Sequence, residues 1–84
     1  LKLIVERKED VTIVDLGKAV EINILRDRMI VDFGSRTTTI EFGKNLNQEQ
    51  RNSLAEEIVS RMSTGAPFYL EEFLDDLEDD ADGD

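Results

Sequence analysis

Apolar residues repeat at every second position up to Phe42 and at helical spacing from Leu54 onward. Successive side chains of a strand point to opposite faces, whereas a helix returns to one face every three or four residues. This change of period commits the chain to strands first and helices afterwards. Val20, Ile22 and Ile24 alternate with Glu21 and Asn23; Met29, Val31 and Phe33 with Ile30 and Asp32; Thr38, Ile40 and Phe42 with Thr37, Thr39 and Glu41. Leu1–Glu6 and Val11–Leu16, rich in Val, Ile and Leu, read as two earlier strands. The punctuations between these runs are short: 7–10, Gly17-Lys18, 26–28 and 34–36. Gly17 stands first in its pair, as a type II′ hairpin turn prefers. Connections this short cannot cross over a sheet, so the spacing predicts a five-stranded antiparallel meander.

Asn47 precedes Gln48, Glu49 and Gln50, an N-cap with the capping-box glutamine three residues on. Leu54, Ile58 and Met62, flanked by Ala55 and Val59, form one apolar stripe, and Glu57 and Arg61 can pair across a turn. Gly65 is placed to end this helix, and Pro67 follows. The stripe is expected to lie on Val20, Ile22, Val31, Phe33, Ile40 and Phe42. The fold class is therefore α+β, an antiparallel meander of about five strands covered on one face by a C-terminal helix. A short acidic amphipathic helix follows, beginning near Pro67, with Leu70, Phe73, Leu74 and Leu77 as its stripe. We expect residues 1–66 to form the sheet-plus-helix domain and residues 67–84 an acidic amphipathic tail.

Charge divides along the same boundary. Nine of the 20 acidic residues lie in the last fourteen positions, without a base among them, leaving residues 1–70 nearly neutral. Isolated helices this short are marginal, and this one carries like-charge neighbours one turn apart, so it needs a surface to pack on. Either the stripe completes the domain's own core, or it docks in an apolar groove rimmed by Lys and Arg. The second alternative makes Phe68, Tyr69, Phe73, Leu74 and Leu77 anchors, and Glu71, Glu72, Asp75, Asp76, Asp79 and Asp80 steering charges. The chain would then be a non-enzymatic interaction module, an adaptor or inhibitor acting on a basic protein surface. The rival expectation is a nucleic-acid mimic, its carboxylates standing in for phosphates on a nucleic-acid-processing protein. A third is a nucleic-acid binder. Turns at one end of a meander gather Arg7, Lys8, Arg26, Arg28 and Lys44 into a basic rim, which the acidic tail would fold back upon and shield.

Catalysis has little to work with. The chain has no His and no Cys, Tyr69 is its one phenol, and no base stands ready to activate a serine. No cofactor and no metal are expected. The ending Asp80-Ala81-Asp82-Gly83-Asp84 imitates the opening of a calcium loop but stops before the sixth-position glycine and twelfth-position glutamate. Absence of cysteine fits a reducing compartment, and no apolar run reaches the roughly twenty residues that span a bilayer, so we expect a cytoplasmic protein. The chain opens on Leu1 rather than Met, as a processed or excised piece would, which leaves room for a preceding leader or anchor. An exposed edge such as Leu1–Glu6 is a place where a second copy could pair.

The run Ile40-Glu41-Phe42-Gly43 through Leu46, then Glu49-Gln50-Arg51, Leu54-Ala55 and Glu57-Ile58, resembles the final strand and capping helix of bacterial PH-like domains. The resemblance covers residues 40–62, and the acidic end departs from it. It implies an antiparallel sheet closed by a helix, and no activity.

Overall fold

A computed structural model describes residues 1–82, with side chains described through Leu77. It is α+β, with six strands in two three-stranded sheets and two helices. The strands are β1 (Lys2–Glu6), β2 (Val11–Asp15), β3 (Glu21–Ile24), β4 (Arg28–Asp32), β5 (Thr37–Glu41) and β6 (Phe68–Tyr69). The helices are α1 (Gln48–Arg61) and α2 (Leu70–Asp82). One sheet has the order β2-β1-β6 and the other β3-β4-β5.

The single five-stranded meander is thereby corrected, and the break comes at Gly17-Lys18. Gly17 does not adopt the positive φ that a type II′ turn requires; among the described residues, Gly34 and Gly43 do. Leu16–Lys18 instead forms a 3-10 turn, with the Asp15 carboxylate accepting from the Gly17 amide at 3.1 Å. This turn carries the chain out of the first sheet, so β3 pairs with β4 and not with β2. β1, expected as a possible edge, is central: Leu3 pairs with Val14 of β2 on one side and with Phe68 of β6 on the other. The β1–β6 pair is parallel, which is possible because everything from β2 to α1 lies between them.

Alternation places the core as the sequence indicates. Leu3, Val5, Val14 and Leu16 of the first sheet and Met29, Val31, Ile40 and Phe42 of the second belong to one buried cluster. Leu46, Leu54 and Ile58 join it from the loop after β5 and from α1. Ile22 and Phe33 are only partly buried, and Val20, placed beneath α1 by the sequence, is 71% exposed because it precedes β3. Both halves of the capping box form: the Asn47 side chain accepts from the Gln50 amide at 2.8 Å, and the Gln50 side chain accepts from the Asn47 amide at 2.9 Å. Such a cap contributes about 1 kcal/mol.

The end of α1 differs from expectation. Gly65 does not cap it; the last turn tightens through the Met62 amide to the Val59 carbonyl, and Thr64 bonds the Arg61 carbonyl. Met62 and Val59 are exposed. Pro67 does not open α2 but leads into β6, where Phe68 enters the core. Phe68, Leu70, Leu74 and Leu77 all belong to the common cluster.

Candidate functional site

The sequence points to α2 and to the basic rim, and the two meet. α2 forms because its apolar positions return to one face, and Glu71 and Glu72 occupy the first turn, where the helix dipole favours anions. Its stripe is turned inward. Phe68, Leu70, Leu74 and Leu77 are buried, and Phe73 is half-buried with its ring edge-on to Phe68, centroids 5.5 Å apart. Arg61 of α1 stacks on the Phe68 ring, its guanidinium 4.9 Å from the centroid, and also pairs with Glu57. Of the proposed anchors, only Tyr69 is exposed, at 39%. Phe68, Leu74 and Leu77 are thus enclosed by their own chain.

The carboxylates divide by face. Glu72, Asp75 and Asp76 are exposed, while Glu71 is half-buried. The Glu71 carboxylate lies 3.6 Å from a guanidinium nitrogen of Arg7. Lys44, from the loop after β5, donates its ammonium to the Leu74 carbonyl at 2.7 Å. Asp79 and Asp80 lie outside the described side chains, as does the calcium-loop-like ending.

Arg7 and Lys8 in the β1–β2 turn and Lys44 after β5 line an open cleft of about 1030 Å³, together with Val5, Thr12 and Ile40. Arg7 also donates to the Glu41 carbonyl. Arg26 and Arg28 flank the neighbouring β3–β4 turn. That turn is tied to the same loop by the Phe42 amide on the Asp27 carbonyl, 2.9 Å, and the Leu46 amide on the Arg26 carbonyl, 2.7 Å. Arg7, Lys8 and Lys44 thus share one cleft, which Arg26 and Arg28 do not line. The three do not make a uniformly positive surface, because Glu9, Asp10, Asp27 and Glu41 line the same cleft. Arg28 donates twice to Asp27, both at 3.0 Å; this hydrogen bonding holds the Asp27 carboxyl below the usual carboxylate range and raises the guanidinium. Opposed charges this close give no one-signed field to draw an anion in.

One surface escaped the sequence reading. Opposite the core, the sheet β2-β1-β6 presents Ile4, with Ile13 and Tyr69 as its cross-strand neighbours. Ile13 is 63% exposed, and Val11 of the same strand 59%. The signal was present: Ile4, Val11 and Ile13 stand one residue out of phase with Leu3, Val5, Val14 and Leu16, and only one set can face the core.

Among the described residues, no helix is long and apolar enough to cross a membrane. No protein-family model, curated protein or solved structure matches this chain.

Proposed function

We propose that this chain is a non-enzymatic interaction module that presents a fixed anionic helix face to a basic protein surface. The observation that carries this reading is the division of α2. Its apolar stripe is held in the core, while Glu72, Asp75 and Asp76 face outward on a backbone that the packing immobilises. Preorganised charge costs less ordering entropy on binding than charge on a loose tail. Steering and selection of a cationic partner are what such a face does best, and salt weakens it.

A second reading is favoured by two contacts, Arg7 with Glu71 and Lys44 with the Leu74 carbonyl. In it, α2 shields a nucleic-acid-binding rim formed around Arg7, Lys8 and Lys44. One experiment separates the two. Affinity capture is run with the wild type and with a variant carrying Glu71→Gln, Glu72→Gln, Asp75→Asn and Asp76→Asn. The first reading predicts basic partners that wash off as salt rises and are lost in the amide variant. A partner displaced by duplex DNA would identify the target as a nucleic-acid-binding surface, the mimic form of the same reading. A partner set unchanged in the variant contradicts the anionic face as the site. Salt-dependent nucleic-acid binding gained by the variant selects the shielded rim instead.

A further inference from the structure

β2 lies at the edge of its sheet, and its outward hydrogen-bonding groups can be identified. In an antiparallel ladder, hydrogen-bonded and non-hydrogen-bonded pairs alternate. Arg7 with Asp10 and Leu1 with Leu16 are bonded pairs, with amide-to-carbonyl distances of 2.8 and 2.9 Å. Between these ends, Thr12 and Val14 therefore face β1, and Val11, Ile13 and Asp15 direct their amides and carbonyls away from it. Edge strands are ordinarily blunted by lysine, proline or a bulge. β2 reads Val-Thr-Ile-Val-Asp and has neither lysine nor proline.

We propose that β2 pairs antiparallel with β2 of a second copy of this chain, about a two-fold axis at Ile13. In that register the outward-facing residues 11, 13 and 15 meet 15, 13 and 11 of the other copy, so each outward amide and carbonyl finds a partner. The outer face then gains an unbroken apolar row: Tyr69, Ile4 and Ile13 of one copy, continued by Ile13, Ile4 and Tyr69 of the other. A closed two-fold arrangement needs this kind of self-complementary surface.

Charge favours a copy over a basic partner here. The charged residues around the edge balance, with Lys2, Lys8 and Lys18 against Glu9, Asp10 and Asp15. The register brings Glu9 and Asp10 of one copy level with Gly17 and Leu16 of the other, and Lys8 level with Lys18. The acids of α2 belong to a helix whose stripe packs on the core side, away from the outer face that carries the apolar row. Pairing at β2 leaves the acidic face open, so this inference stands apart from the function proposed above.

Five residues of edge and one apolar row fall short of the roughly 800 Å² per partner of a standard stable interface. The dimer is therefore expected to be weak, assembling over about 10 μM to 1 mM. The test uses the full chain, which has no cysteine of its own. Ile13→Cys places two thiols opposite each other in a hydrogen-bonded pair, about 5.5 Å between Cα atoms, within disulfide reach. Val11→Cys places them four residues apart along the strand, beyond it. Under mild oxidation Ile13→Cys should give covalent dimer at least about tenfold faster than Val11→Cys. Sedimentation equilibrium should show the wild type associating and Ile13→Lys monomeric, with the circular dichroism of the two alike. Equal cross-linking rates overturn the proposal, as does a wild type that stays monomeric up to 1 mM (about the upper limit expected). Association that persists unchanged in Ile13→Lys overturns it as well.

Discussion

Leu74→Ala is expected to lower stability by about 2–5 kcal/mol, the range for truncating a buried leucine. Leu74 is enclosed among the residues of a cluster drawn from both sheets and both helices, so its removal leaves a cavity that several elements share. A chain of this length has only about 4–13 kcal/mol to lose. Leu74→Asp, which buries a carboxylate without a partner, should therefore abolish the fold. Asp75→Ala, one residue along on the exposed face, should stay within about 0.5 kcal/mol. Urea titrations of the three variants check this ordering. A disposable tail would give three curves superimposed on the wild type.

The second large effect is expected at Phe68. Phe68→Ala should cost about 3–5 kcal/mol. Its ring is buried, meets Phe73 edge-on, and lies under the Arg61 guanidinium. The residue also holds β6 to β1 by its pairing with Leu3. Losing it loosens the strand that leads into α2 and the last turn of α1 together. Phe73→Ala should cost less, since that ring is half-buried. Thermal or urea unfolding of both variants measures the difference; an equal and small loss at the two positions would show that β6 and α2 are not seated as described. These effects also bear on partner capture. Phe73→Ala combined with Leu77→Ala weakens the fold itself, so a lost partner would report unfolding; amide substitutions on the outer face avoid that ambiguity.

Much of this architecture was legible. Alternation located Val31, Ile40 and Phe42 in the core, and Asn47 with Gln50 marked the start of α1. Topology was harder to read, because a Gly-Lys pair between two strands fits both a hairpin turn and a 3-10 turn. The backbone at Gly17 is set by Asp15 capping its amide and by Leu16 entering the core, and neither follows from local spacing. Phe68-Tyr69 is too short to carry a strand period, and its place beside β1 depends on a contact across 65 positions of sequence. For the candidate site, Arg7, Lys8 and Lys44 line one cleft, but the single meander behind the expected rim does not form, so their approach depends on how the two sheets pack. The direction of the α2 stripe did not: periodicity defines an apolar face without saying whether the chain's own core or another molecule covers it.

Native-state amide hydrogen exchange, read residue by residue across α2 and β1, tests the central claim most directly. If the greasy side of α2 is part of the core, the amides of Leu74–Leu77 should open with free energies near those of the Leu3–Val5 strand and shift with global stability. Exchange at rates of an unstructured peptide at Leu74–Leu77, with β1 still protected, would contradict it.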